Sequence, residues 1–363
     1  MNFDEKAIIW LDHFDFLTYK KKEKLLSLVS KPSDLVGYQN LSRLKNELKN
    51  NLSDEDLSIL LHECEEKDIE NIVTDIEKLG ISTLTIISKG YPESLANIST
   101  PPFVIYYKGN VDLLYTDCFA VVGTRHLTSY GKMATEKFTR GLCGVGFTIV
   151  SGLASGIDTI AHREALNSKG KTIAVLANGL DKIYPPTNTH LAQEIISSGG
   201  LIISETRPYR RAESFLFPIR NRIIAGLSRG VLVTEAQEKS GAMHTKNYAL
   251  EFGKDVFSVP GSIFNITSNG TNRLIVNGQA KAVVDLDDIL CEYNIKPNQP
   301  NQTAYNVSIE EQIVVDMLSS GEKTFQELVD ISHLEIKKLN NILTMLTIRG
   351  VIKKLAGNVY YLN

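Results

Sequence analysis

The apolar positions of the chain change texture twice. Over residues 1–80 they recur at helical spacing, as Ala7, Ile8, Leu11 and Phe14, then Leu25, Leu26 and Val29, then Leu57, Leu60 and Leu61, which predicts a set of short helices. Lys31-Pro32-Ser33-Asp34 and the stretch Asn-Leu-Ser-Asp-Glu-Asp at 51–56 place Ser or Asp caps where two of them begin. Between 81 and 118, turn signals at Tyr91-Pro92, Pro101-Pro102 and Gly109-Asn110 surround one apolar run, Phe103 to Tyr107, so one strand and a connecting stretch are expected. Thereafter short apolar runs, at Cys118–Val122, Phe147–Val150, Thr172–Leu176, Leu201–Ser204, Gly230–Thr234 and Asp255–Val259, alternate with helical stretches such as 128–144 and the one beginning at Ile157. Runs that are apolar on both faces and separated by helices predict a doubly wound parallel α/β sheet, here assigned to residues 81–290.

The stretch EYNIKPNQPNQTAY at 292–305 is polar and holds two prolines, so a linker is expected over 291–305. Residues 306–363 again show helical spacing, at Ile313, Val314 and Met317, at Phe325 and Leu328, and at Leu339, Ile342 and Leu346. Two strand-like runs, Val351–Leu355 and Val359–Leu362, follow around Gly357-Asn358, and three helices with a hairpin are the pattern of a winged helix.

Composition narrows the class. Of 363 residues, 43 % are hydrophobic and 22 % charged, which excludes general disorder. The N-terminus is interrupted by charges and no later run is long and apolar enough for a bilayer, so neither secretion nor membrane spanning is expected. Four cysteines without CxxC spacing give neither a disulfide framework nor a zinc site, and a reducing, cytoplasmic setting fits. Charge is uneven: residues 1–80 carry 11 Lys and Arg against 17 Asp and Glu, whereas residues 119–290 carry 19 against 14. A locally positive field attracts phosphate, whether on a nucleotide or a polynucleotide.

In doubly wound sheets ligands bind beyond the carboxyl ends of the strands, so the loops there are the candidate sites. The first strand runs into Gly123-Thr124-Arg125, where glycine permits a close backbone approach and the following helix points N–H groups at an anion. It is not a GxGxxG fingerprint. The second runs into Ser151-Gly152-Leu153-Ala154-Ser155-Gly156-Ile157-Asp158, a loop of glycines and serines suited to cradling phosphate. Asp158 and His162 share a helix face, but dipole complementation and packing account for that pair better than acid–base work. The third loop, Asn178 to Pro186, carries Lys182 and Tyr184 among glycine and prolines, and Lys239-Ser240-Gly241 opens a further helix. Most informative is the stretch 210–222, where Arg210, Arg211, Arg220 and Arg222 flank Phe215 and Phe217, with Asn221 between. Guanidinium groups hold phosphates and aromatic rings stack on bases. Signatures for P-loop, zinc-protease and serine-hydrolase chemistry are missing, so no catalytic residue, metal or cofactor is assigned.

Taken in order, VVGTR at 121–125, SGLASGID at 151–158, NGLDKIYP at 178–185, FPIRNRIIAGLS at 217–228, TEAQEKSGA at 234–242, ALEFGKDVFSVPGS at 249–262 and GTNRLI at 270–275 resemble the DNA-processing protein A family, also called Smf or DprA. The resemblance implies an extended Rossmann-like domain that binds single-stranded DNA and helps load the RecA recombinase onto it during natural transformation. It also implies an N-terminal helical domain of SAM or helix-hairpin-helix type, a C-terminal winged helix and a homodimer. Carried onto matching positions, Gly123, Arg125, Ser151 and Gly152 hold phosphates and Phe217 stacks on a base. Arg220, Asn221 and Arg222 line the same basic pocket, joined by Lys182, Arg211, Lys239, Ser240 and Gly241, with Arg125 and Arg222 foremost.

Two departures stand out. Ile219 occupies a position where the family often has a basic residue, which shifts weight to Arg210 or Arg211. His244 and Lys246 replace an aliphatic residue and an alanine, and Lys246 is expected on a solvated helix face rather than at a phosphate. Two other classes stay open: a nucleotide-binding protein or nucleoside-monophosphate hydrolase on a related Rossmann-like fold, and a duplex-DNA regulator acting through the winged helix. The second is disfavoured because the recognition helix expected near 334–347 offers only Lys337 and Lys338.

Overall fold

The computed structural model describes residues 1–49, 52–295, 307–319, 321–332, 334–355 and 357–362. Two compact units emerge, Met1–Lys296 and Pro297–Asn363.

The first unit opens with six helices: α1 (Phe3–His13), α2 (Tyr19–Ser27), α3 (Tyr38–Arg43), α4 (Lys45–Lys49), α5 (Asp54–His62) and α6 (Glu66–Lys78). Their starts are chemically marked. Asn2 and Glu5 exchange side-chain to backbone hydrogen bonds at α1, and Ser53 accepts from the Asp56 N–H at α5. Trp10, Leu11, Leu25, Leu41 and Leu60 form a core internal to these helices. Ile8, Ile9, Val73 and Ile76 instead pack with Val104, Tyr106, Leu176 and Ile202 of the sheet that follows, so the expected division at 80/81 falls inside one packed unit.

That sheet holds β1 (Ser82–Thr85), β2 (Val104–Gly109), β3 (Cys118–Val122), β4 (Thr148–Ser151), β5 (Thr172–Leu176), β6 (Leu201–Ser204), β7 (Gly230–Val233), β8 (Asp255–Ser258) and β9 (Lys281–Ala282). Strand order is β1-β2-β6-β5-β4-β3-β7-β8-β9, parallel except that β2 pairs antiparallel with β1 and β6. Interleaved are α7 (Glu93–Ala96), α8 (Ser129–Gly144), α9 (Ile157–Asn167), α10 (Thr189–Ser197), α11 (Leu216–Leu227), α12 (Ala242–Glu251), α13 (Asn269–Val276) and α14 (Asp287–Leu290). The period of two decides which residue faces which layer. On β3, Cys118, Ala120 and Val122 pack toward α11, α12 and α13, whereas Phe119 and Val121 pack toward α8 and α9. The chain walks from β3 outward to β6, then returns to the other side of β3 with β7. The crevice beside β3 is therefore the switch point where such sheets bind ligands.

Two short strands escaped the sequence reading, β1 and β9, because neither has a continuous apolar run. The expected linker begins too early: Tyr293 packs its ring against Phe119, Phe147 and Phe257, so residues up to 295 belong to this core. The rest of the expected linker, 296–305, lies outside the described residues.

In the second unit α15 (Ile309–Ser319), α16 (Phe325–Ser332) and α17 (Ile336–Ile348) bury Val314, Leu318, Leu328, Leu339 and Leu346 with Ile352 and Tyr360. The antiparallel sheet of β10 (Lys323–Thr324), β12 (Val359–Leu362) and β11 (Ile352–Leu355), in that order, completes a winged-helix arrangement. Of the two lysines on α17, Lys338 pairs with Glu310 and Lys337 is exposed. Among the described residues no helix is long and apolar enough to cross a membrane.

Candidate nucleic-acid interface

A groove of about 630 Å³ opens at the switch point beside β3. Its walls come from the loops after β3, β4, β5, β6 and β7 and from the first turns of α11 and α12. Among its lining residues are Gly123, Arg125, Phe217, Arg220, Asn221, Lys239, Ser240 and Gly241, eight of the thirteen expected positions. Their sequence separation reflects the topology, since each sits in a loop beyond a parallel strand or in the first turns of the helix that follows it.

The mouth of the groove is cationic and aromatic. Arg125 is exposed, with its guanidinium carbon 5.3 Å from the centre of the Phe217 ring. Phe217 lies half-buried in the first turn of α11, where the following Pro218 costs nothing because no N–H is needed there. Its other neighbour is Tyr184, ring centre to ring centre 5.8 Å and tilted by 54°. Tyr184 is 47 % exposed, so the three groups form an open stacking platform flanked by charge. Lys239 is exposed at the start of α12 and makes no ion pair among the described residues. Its neighbour Gly241 accepts from the Asn221 side chain at 3.2 Å, which fixes α12 against α11.

Three helix starts had been expected to present N–H groups to phosphate, and two are already filled by the protein's own carboxylates. At α8, Glu235 accepts from the Thr128 N–H and hydroxyl, both at 2.9 Å, although it sits 107 residues away in sequence. In the SGLASGID loop, Asp158 accepts from the amides of Gly152 at 3.1 Å and Ala154 at 3.3 Å. The start of α12, lined by Gly241, Ala242, His244 and Thr245, opens into the groove.

Five expected positions do not line the groove. Ser151 is fully buried and donates its hydroxyl to the Val121 carbonyl at 2.7 Å, tying β4 to β3 rather than meeting a ligand. Gly152 spends its amide on Asp158, and a side chain there would lie 2.6 Å from Arg220 Nη2, so this glycine makes room for an arginine. Arg222 does not line the groove: Glu205 holds its guanidinium at 2.6 and 2.7 Å, and its Nε donates to Thr100. Lys182 and Arg211 are exposed on neighbouring loops and do not line the groove either. Arg210, the suggested substitute for a basic residue at 219, is bound to Asp15 at 2.9 Å and to Glu213 at 3.3 Å.

Arg220 does reach the groove, as its floor. It is 4 % exposed and donates to the carbonyls of Gly152 (2.8 Å) and Val175, and to the Asn221 amide oxygen at 3.1 Å. Burial pulls its pKa down to about 10, opposed by Asp158, while burial pushes the Asp158 carboxyl up against the pull of Arg220. His162 does not pair with Asp158: its Nδ1 lies 2.7 Å from the Thr172 hydroxyl, and burial drives its pKa down to about 3.

Tyr184, His126, His244 and Thr245 belong to the groove and were not assigned from sequence. Tyr184 carries a signal, an aromatic beside prolines in a glycine loop, and His244 one as a departure from the family pattern; His126 and Thr245 carry none. Lys246 is not on a solvated face, being only 7 % exposed. Among the described residues no cluster of His, Cys, Asp or Glu is arranged to hold a metal ion.

A nine-stranded, largely parallel sheet with a cationic, aromatic-lined groove at its switch point defines a protein of the Rossmann-like α/β class. The model of the DNA recombination-mediator protein A family matches residues 82–294, and the chain belongs to that family. The DNA processing protein DprA of Bacillus subtilis is 41 % identical over 236 residues, covering 64 % of this chain and 79 % of that protein. The crystal structure of DprA from Streptococcus pneumoniae matches with a TM-score of 0.65 at 36 % identity, over 79 % of this chain and 97 % of that one. A structure of DprA from Helicobacter pylori, described for its single-stranded DNA binding mode, matches with a TM-score of 0.54 at 34 % identity, over 59 % of this chain and 95 % of that one.

Proposed function

We propose that this protein is a non-catalytic DNA-processing factor that binds single-stranded DNA in the groove at the switch point. The observation that carries the reading is the platform of Arg125, Phe217 and Tyr184, open to solvent and backed by Lys239 and the start of α12. Bases stack on the rings while phosphates meet Arg125 and Lys239, an arrangement that tolerates any sequence but requires unstacked bases. The Helicobacter relative's single-strand binding supports it. Arg211 and Lys182 guide the strand from the rim, while Arg220 and Asn221 shape the floor.

In this reading the chain acts in the cytoplasm as a homodimer that protects incoming strands and loads a RecA recombinase onto them. The helices of residues 1–80 and the winged helix serve assembly or partner contacts. The test is fluorescence anisotropy of a labelled oligothymidine and its duplex across a salt series. Preference for the single strand is expected, with Arg125→Ala and Phe217→Ala each weakening binding about 5- to 50-fold, as one stacked base is worth roughly 1–3 kcal/mol. Equal duplex binding that ignores both substitutions would refute the reading. Strand exchange by RecA on coated single strands, with and without the protein, tests the loading step.

A further inference from the structure

A second cavity, about 550 Å³, lies between α12 and α13, lined by Lys246, Asn247, Arg273, Asn277, Gln279 and Glu238 among others. Lys246 has 93 % of its surface covered, yet the one hydrogen bond of its ammonium goes to the neutral Gln279 side chain at 3.3 Å. Among the described residues no carboxylate stands within ion-pair distance of it. An ammonium carries three donors, and with one spent on Gln279 the others are left for whatever occupies the cavity that Lys246 lines. Burial accordingly lowers its pKa. Arg273 stands exposed on the other wall with Glu238 at 3.3 Å as its ion partner, a solvent-screened pair that exchanges readily.

The cavity adjoins the first groove through a shared wall. In the loop before α12, Gln237, Lys239, Ser240 and Gly241 face the groove while Glu238 faces the cavity; on α12, His244 and Thr245 face the groove while Lys246 and Asn247 face the cavity. A strand passing Lys239 has only this loop to cross before it meets Lys246.

We propose that the cavity between α12 and α13 is a second phosphate subsite, in which Lys246 and Arg273 hold backbone phosphates of the same single strand that occupies the Arg125–Phe217 groove. The proposal rests on the single-strand reading of that groove and extends it. Asn247, Asn277 and Gln279 supply neutral donors to the phosphate oxygens, and Glu238 swings away as Arg273 exchanges partners.

The experiment measures anisotropy of the full chain with oligothymidines of increasing length over a salt series, for wild type, Lys246→Met, Arg273→Gln and Arg125→Ala. Wild-type affinity is expected to step up once the strand outgrows the first groove. Lys246→Met, which keeps the buried stem, should lose that step by about 3- to 10-fold and flatten the log–log salt slope by about 0.7 per lost contact, with short-strand affinity unchanged. Arg273→Gln, at an exposed position, should do the same without threatening the fold. If both variants keep the step while Arg125→Ala weakens every length, the second subsite is refuted and the groove stands. If Arg125→Ala is silent, the groove reading fails and takes this proposal with it. Calorimetry with inorganic phosphate and thymidine monophosphate separates sources: Lys246-dependent binding of either without a Lys246-dependent step would mean a free-anion site and overturn the strand assignment.

Discussion

Arg222 and Glu205 meet as a two-pronged pair, Nη1 2.7 Å from Oε1 and Nη2 2.6 Å from Oε2, with the Arg222 side chain 6 % exposed. Thr100 takes the remaining Nε donor through its carbonyl and hydroxyl, both at 3.0 Å. With the Nη1 bond to the Ile219 carbonyl, four of the five donors of this arginine are spent inside the protein, joining α11 to the segment before β2 and to the loop after β6. Removing one partner of a buried pair leaves the other charge uncompensated. Arg222→Ala is expected to cost about 3 kcal/mol or more in urea unfolding, while single-strand affinity of the folded variant stays within twofold of wild type. A loss of affinity matching that of Arg125→Ala would instead return Arg222 to the DNA.

The two arginines of the FPIRNR motif divide labour because of helix geometry. At 3.6 residues per turn, Arg220 and Arg222 point about 200° apart, so they cannot line one groove. The density of arginine is plain in the sequence, but composition alone does not give the helical phase that separates the two side chains. The counter-ions are not legible there either. Glu205, Glu235 and Asp158 neutralise or occupy the sites at Arg222, α8 and the SGLASGID loop, and the first two come from other strands. What was legible was local: the strand runs, the helix after each loop, the glycines at the turns and Arg125 with Phe217. Strands β3 to β8 fall within a residue or two of their expected bounds, because runs buried on both faces leave little ambiguity. Pairings across long sequence distance stayed hidden.

Gly152 offers a sharp probe of the buried floor. A Cβ there would stand 2.6 Å from Arg220 Nη2 and 2.8 Å from Asp158 Oδ2, so the arginine or the carboxylate must move. Gly152→Ala is expected to destabilise by roughly 2–3 kcal/mol, the scale of overpacking combined with a disturbed buried charge. Thermal unfolding would register it as a lowered Tm; an unchanged Tm would show that the floor yields freely.

Asp15 clamps the N-terminal helices to the rim of the sheet. It receives Arg207 at 2.8 Å and Arg210 at 2.9 Å, from 192 and 195 residues away in sequence. One carboxylate shared by two guanidiniums at a half-exposed site contributes modestly, so Asp15→Ala should cost about 1 kcal/mol. Limited proteolysis is the better readout, with faster cleavage in the Arg207–Glu213 loop expected. Cleavage at the wild-type rate would mean that the apolar contacts of Ile8, Ile9 and Val73 hold the helices unaided.

His162 sets an acid limit on the fold. The Thr172 hydroxyl donates to the Ile149 carbonyl at 2.8 Å, so His162 Nδ1 must carry the proton that it gives to that hydroxyl, and Nε2 is left buried without a partner. Burial, reinforced by the nearby Arg220 charge, holds the folded pKa at about 3, below the ordinary 6.5. The unfolded chain therefore binds the extra proton first. Between these two values it holds more protons than the native state, so stability falls as pH drops through that window, by up to about 1.4 kcal/mol per unit from this residue. The neutral histidine's contribution is fully present above pH 6.5. His162→Asn retains a donor toward Thr172 but cannot be protonated. It is expected to flatten the loss of urea stability between pH 6.5 and 4.5 relative to wild type, and parallel pH profiles for the two proteins would place the acid sensitivity elsewhere.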